Sequence, residues 1–286
     1  MCSDLLKIHR VPIRIPGLIK SYRFLHITDA HLCLYDERET PARAEYAAPR
    51  YTGFAADGVL THERLDAICQ YVGAHSNPAD PEALDGVLIT GDILDFPSEP
   101  NCRFLQERLA ALPVPYVFTL GNHDWAYFDD YHTPHSKVAG RPLFSHYCDG
   151  NTFVHKKCIG ELTFVAVDNT EELYEDGVAE TLAEALKGEE NVLMLQHIPL
   201  YSSTLHGDTV ACWGRDLCVG GCEGICKNDN WRKVLELITA DASPVKALIT
   251  GHLHFYHEDL VEERIPQYVT ATAADGRVTL FMISGE

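Results

Sequence analysis

Residues 24–32 read FLHITDAHL, an apolar run that stops at Thr28 and is followed by an aspartate and a histidine two positions apart, Asp29 and His31. In extended chain, residues i and i+2 project to one side, so these two side chains would converge on one point. Taken singly, an Asp-x-His pair equally well closes a turn at a strand end. The fold is decided by recurrence of the pattern. YRFLHIT, LDGVLIT, VPYVFTL, ELTFVAV, NVLMLQ and VKALIT are apolar at successive positions, as strands buried on both faces are. Amphipathic segments lie between them. THERLDAICQYV aligns Leu65, Ile68, Cys69 and Val72 on one helical face, CRFLQERLAAL aligns Phe104, Leu105, Leu109 and Leu112, and NWRKVLELI aligns Trp231, Val234, Leu235 and Ile238. The alternation predicts a layered α/β fold. The tail YVTATAADGRVTLFMIS predicts two further strands joined at Asp275 and Gly276.

With 286 residues, 46% hydrophobic and 23% charged, the chain has the balance of a soluble globular protein with a large core. We expect a single domain over 1–286 with two insertions, at about 34–58 and 201–229, both polar and punctuated by Pro and Gly. Loops at those places overhang the crevice at strand C-termini, where α/β proteins place ligands. The chain has no run of 18 apolar residues, and its start, MCSDLLKIHRVPIRIPGLIK, alternates and is broken by Pro12 and Pro16. A cytoplasmic protein without a membrane partner is expected. The net charge of −19 disfavours a nucleic acid duplex or an anionic membrane as partner and also repels small phosphates. A phosphate-handling site here needs positive charge of its own. Cys33, Cys69, Cys102, Cys148 and Cys158 sit near apolar segments and are expected to be buried thiols. Cys212, Cys218, Cys222 and Cys226 match no common zinc or iron–sulfur spacing, which leaves reduced thiols, a disulfide or an extra metal site open.

The residues that end the runs carry the chemistry: TDAH (28–31), GDILD (91–95), GNHD (121–124), QH (196–197) and GHLH (251–254). Each alone has an ordinary explanation. Asp92 can make an Asx turn, Asn122 can take a left-handed turn position, His197 can be a satisfied histidine before Pro199, and His252 and His254 can be a surface pair. Together they form the donor set of a two-metal site. Imidazoles with carboxylates suit Mn, Fe or Zn, whereas oxygen alone would suit Mg or Ca. A carboxylate can bridge ions about 3.5 to 4 Å apart, the spacing used for in-line displacement at phosphorus, and Asp92 is the natural bridge. Two divalent ions against Asp29, Asp92 and one bridging hydroxide leave a charge of about +1, which answers the repulsion noted above.

The ordered series Asp-x-His, Gly-Asp-x-x-Asp, Gly-Asn-His-Asp, His, Gly-His-x-His resembles the calcineurin-like metallophosphoesterase superfamily, and it spans residues 29 to 254. The resemblance implies a four-layer α/β/β/α sandwich of two mixed β-sheets flanked by helices. It implies two divalent or mixed-valence ions, one held by Asp29, His31 and His254, the other by Asn122, His197 and His252, with Asp92 bridging. It implies in-line attack of a metal-bound hydroxide on a small phosphate ester, with His123 stabilising the transition state or protonating the leaving oxygen and Asp95 orienting His123.

Departures from the better-known branches narrow the expectation. GDILD is followed by Phe96 and Pro97, not by the Arg-Gly pair of branches resembling the protein Ser/Thr phosphatases. Asp95 stands where purple acid phosphatases have a tyrosine ligand. The 32 residues after His254 would not make the large C-terminal domain of the 5′-nucleotidase branch, and the acidic surface disfavours the DNA-repair nucleases. What remains resembles the small bacterial phosphodiesterases, including the cyclic-nucleotide type. A phosphodiesterase is the first expectation, a phosphomonoesterase acting on a small metabolite the second, and a non-catalytic metal-binding scaffold the third. Arg43, Arg50, Tyr46, Tyr51, His206 and Arg215 in the insertions are candidate substrate contacts.

Overall fold

A computed structural model describes residues 5–127, 134–171, 173–220 and 229–286. Two mixed sheets form its centre. The first runs in the order β1 (Lys7–Arg14), β11 (Arg277–Ser284), β2 (Tyr22–Ile27), β3 (Gly86–Thr90), β4 (Tyr116–Thr119). The second runs in the order β5 (Val154–Ile159), β6 (Leu162–Val167), β7 (Val192–Leu195), β8 (Val245–Thr250), β10 (Ile265–Val269), β9 (His257–Val261). The apolar runs read from the sequence are β2, β3, β4, β6, β7 and β8, and β3, β6 and β7 are buried at every position. Pro12 sits in β1, an edge strand, where its missing N–H costs no ladder bond to a further neighbour.

Three apolar layers hold the sandwich together. Between the sheets pack Val11, Phe24, Leu88 and Phe281 from one side and Phe164, Leu193, Leu195 and Ile249 from the other. Phe24 and Phe164 meet edge to face at 4.7 Å between ring centres. Both are fully buried, so truncating either to alanine would cost about 3–5 kcal/mol. Outside the first sheet lie α2 (Thr61–Ala74), through Leu65, Ile68 and Val72, and α3 (Glu99–Ala110), through Leu105 and Leu109. Outside the second lie α5 (Val178–Leu186), through Leu182 and Leu186, and α7 (Asp229–Thr239), through Val234 and Ile238. The expected four-layer α/β/β/α architecture is the one observed.

Three expectations need correction. The insertions are not simple loops: 34–58 contains α1 (Pro41–Gly53) and 201–229 contains α6 (Ser203–Trp213). Both start on a side-chain cap, Thr40 Oγ1 accepting from Arg43 N–H and Ser202 Oγ from Leu205 N–H. They escaped notice because α1 buries only Ala47 and α6 only Leu205 and Thr209, so neither carries an apolar stripe. The two tail strands exist but make no hairpin, since β10 belongs to the second sheet and β11 to the first. The segment between them crosses from sheet to sheet, and local turn chemistry cannot distinguish that crossing from a hairpin. Finally, Cys158 is exposed and Cys69 and Cys102 are half-buried, whereas Cys33 and Cys148 are buried as expected. Cys158 lies on β5, an edge strand of its sheet. Among the described residues no helix is long and apolar enough to cross a membrane.

Candidate metal centre

Within the first sheet β2, β3 and β4 run parallel, and within the second β7 and β8 do, so their C-terminal ends gather. The ladder continues into the loops: Asp29 N–H donates to Gly91 O at 2.9 Å, His31 N–H to Asp92 O at 2.9 Å, and Asp95 N–H to Leu32 O at 3.0 Å. The loop backbones press together at glycines. A Cβ on Gly121 would lie 2.1 Å from Asp92 N, and one on Gly251 would lie 1.9 Å from Thr28 Oγ1. Asp29 and His31 converge by a different route from the one the sequence suggests. Strand β2 ends at Ile27, and both residues are left-handed, at φ 54° and 45°. Asp92, His252 and His254 are left-handed too, at φ 50°, 71° and 61°. Non-glycine residues in that region cost about 1–3 kcal/mol each and persist where the surroundings enforce them, characteristically at functional sites.

The carboxylates are held with one oxygen each turned inward. Asp29 Oδ2 accepts from Thr28 Oγ1 at 2.7 Å and from His252 N–H at 2.9 Å. Its Oδ1 is buried without a hydrogen-bond partner, 3.3 Å from His254 Nε2 and 4.0 Å from His31 Nε2. Asp92 Oδ1 accepts from His123 N–H at 2.7 Å. Its Oδ2 lies 3.2 Å from His197 Nε2 and 4.0 Å from His31 Nε2.

The imidazoles are oriented from behind. His31 Nδ1 is 3.1 Å from Asp95 Oδ1 and His197 Nδ1 is 2.6 Å from Thr90 O, so in each neutral ring the proton sits on Nδ1 and the lone pair on Nε2. Those nitrogens face a carboxamide oxygen and further imidazole nitrogens, whose roles turn on the tautomer. His31 Nε2 faces His254 Nε2 at 3.1 Å, and His197 Nε2 faces Asn122 Oδ1 at 3.1 Å and His252 Nδ1 at 3.2 Å. Lone pairs converging in a buried space repel one another unless a cation sits among them. The orphaned Asp29 Oδ1 and the converging nitrogens therefore fit metal ions. Among the described residues three groups of donor atoms lie close enough to share an ion: Asp29 with His31 and His254, Asp92 with His197 and His252, and His31 with Asp95 and His123, the last already joined through Asp95.

The titration behaviour reflects the same demand for positive charge. Burial opposes ionisation of His197, yet Asp92 outweighs it and pushes the ring up to about 9. Burial and then repulsion from His197 push His252 down to about 3. Burial likewise opposes charge on His123, but Asp92 and Asp95 push it up to about 8. Asp95 is buried, and hydrogen bonds from Arg50, His123 and His31 overcome that burial to hold its carboxyl below the usual range.

Sequence reasoning missed Asp124, the last letter of GNHD. It is fully buried and accepts from the N–H groups of Asp92 at 3.0 Å, Leu94 at 2.8 Å and Gly121 at 2.7 Å, clamping two strand-end loops together. It missed Thr272 as well, whose hydroxyl donates to Asp29 O at 2.6 Å from the sheet-crossing segment. The candidate substrate contacts separate. Arg50 makes a forked ion pair with Asp95, its second arm 2.6 Å from Oδ1. Arg43 lies over the Tyr127 ring, Tyr46 packs on Phe96 and Tyr51 on Tyr35, His206 pairs with Asp216 at 2.9 Å, and Arg215 is exposed. Cys212 is an exposed free thiol and Cys218 a buried one; Cys222 and Cys226 lie outside the described residues.

The sequence matches the profile of the calcineurin-like phosphoesterases over residues 22–256, most of the chain. The chain belongs to the calcineurin-like phosphoesterase family. Members of this family hydrolyse phosphate esters with the help of metal ions, and this chain has His and Asp groups that could hold them. A crystal structure of a dimetal phosphatase from Danio rerio superposes with a TM-score of 0.53 at 14% identity, covering 90% of this chain and 91% of that one. At that identity the likeness speaks for the fold. A 5′-nucleotidase from Candida albicans aligns with a TM-score of 0.42 at 11% identity, over 98% of this chain and 53% of that one. No curated protein sequence matches the chain.

Proposed function

We propose that this calcineurin-like phosphoesterase is a dinuclear phosphodiesterase acting on a small ester. The observation that carries the reading is the place of Asp92 Oδ2, between His197 of one donor cluster and His31 of the other, at 3.2 and 4.0 Å. On this reading Asp29, His31 and His254 would hold one ion and Asn122, His197 and His252 the other, with Asp92 the residue the two would share. Bound there, two Mn, Fe or Zn ions supply positive charge to the phosphoryl oxygens and acidify the attacking water.

The protein's own groups do the rest. Asp92 is fixed by His123 N–H and by Asp124 through the loop backbone. His123 turns Nδ1 toward Asp95, 3.3 Å from Oδ1, and lies edge-on to His31. Nε2 would be the atom that hands a proton to the departing oxygen. Asp95 orients His123 and His31 together. The preference for a diester is supported by charge: a monoester brings two negative charges, a diester one. Among the described residues, Arg50 is the cationic side chain paired with this cluster, and it is committed to Asp95.

Metal-stripped protein resupplied with manganese tests the reading with bis(p-nitrophenyl) phosphate and p-nitrophenyl phosphate. Faster hydrolysis of the diester is expected. Preference for the monoester would replace the reading with a phosphomonoesterase, and turnover of neither would contradict both.

A further inference from the structure

Both insertions place an aromatic ring on a candidate metal-ligating histidine. Phe54, just after α1, stacks on His31 with ring centres 4.4 Å apart and planes within 7°. Its ring also carries the Arg50 guanidinium, 5.2 Å from the centroid. Phe54 is thus spent on holding His31 and Arg50. Trp213, the last residue of α6, differs. Its indole meets His254 edge-on at 5.5 Å, and its Nε1–H donates to Leu253 O at 3.0 Å. The only polar atom of the indole is therefore tied down on the GHLH loop, yet the residue remains 44% exposed. Val210, three positions earlier on the same helix and 37% exposed, extends the apolar strip. Among the described residues, Trp213 is the one large exposed hydrophobic that is aromatic.

We infer that Trp213 forms the wall of a subsite that stacks on a planar aromatic group of the substrate, a nucleobase or an aryl ring. The inference rests on the proposed diester hydrolysis and deepens it by naming the substrate's organic part. An anchored indole loses little freedom on binding, and stacking needs no charge, which suits a strongly acidic protein with an uncharged aromatic group to recognise.

The manganese-loaded protein tests this with two diesters that share a leaving group, bis(p-nitrophenyl) phosphate and methyl p-nitrophenyl phosphate. The ratio of their kcat/KM values should fall about tenfold in Trp213→Ala and be largely kept in Trp213→Phe, which retains a ring but loses the bond to Leu253 O. An unchanged ratio in Trp213→Ala would overturn the subsite, whatever the loss in absolute rate. Binding is read separately, without turnover. 4-Nitrobenzylphosphonate should quench tryptophan fluorescence in the wild type and not in Trp213→Phe, while methylphosphonate quenches neither. Equal quenching in both proteins, or none, would overturn the inference. Hydrolysis of neither ester by the wild type would overturn the proposed reaction instead, and quenching would then decide the subsite alone.

Discussion

Asp95 holds three groups at once: His31, His123 and the fork of Arg50. A buried carboxylate survives in an apolar setting only when such partners outweigh its desolvation. Removing one partner should therefore be felt beyond the lost contact. For Arg50→Ala we predict a loss of about 1–3 kcal/mol in urea unfolding, below that of a fully buried pair because Arg50 is 27% exposed. Arg50→Lys should recover only part of it, lacking the planar fork. An unchanged unfolding midpoint in Arg50→Ala would show that the two histidines suffice. His123 belongs to the same scale. It contributes its backbone N–H to Asp92, which alanine keeps, so His123→Ala should retain metal and lose about 10²-fold or more in kcat. Turnover within a fewfold of wild type would remove the ring from the reaction.

At the scale of elements, legibility followed burial. The strands could be read because β3, β6 and β7 bury every side chain, and α2, α3 and α7 because they bury one face. Helices α1 and α6 could not, since they bury one and two residues and lean on caps instead. The site residues were legible from their residue types at strand ends. Their left-handed backbone was not, because nothing in Asp-x-His distinguishes it from extended chain. Nor was the second row of support, where His26 spans the elements: its Nδ1 is 2.8 Å from Thr270 Oγ1 and its Nε2 2.8 Å from Thr90 Oγ1. Burial pushes His26 down to about 3, so the native state refuses a proton that the unfolded state accepts near 6.5. The stability owed to the neutral ring is complete above about 6.5 and is lost as the pH falls toward 3. We predict that wild type loses about 1.4 kcal/mol more per pH unit over that window than His26→Gln, measured by urea unfolding at each pH. Equal slopes would refute the role assigned to His26.

For the whole molecule, the decisive fact is a polar, cation-seeking cluster at the strand ends of two apolar-packed sheets in a chain with net charge −19. Long-range charge repels phosphate everywhere except where cations are concentrated, so activity should depend wholly on metal and weaken less with salt than a site built from surface lysines. The same architecture accounts for the donor set: parallel strands of both sheets end together, and there Asp29 and His254, far apart in sequence, come within 3.3 Å. The most direct measurement is the number of manganese ions bound per chain by metal-stripped protein, counted by elemental analysis alongside Asp92→Asn. Two tightly bound ions in the wild type and weakened binding of both in Asp92→Asn are the predicted result. One ion or none in the wild type, or two retained by Asp92→Asn, would contradict a centre bridged by Asp92.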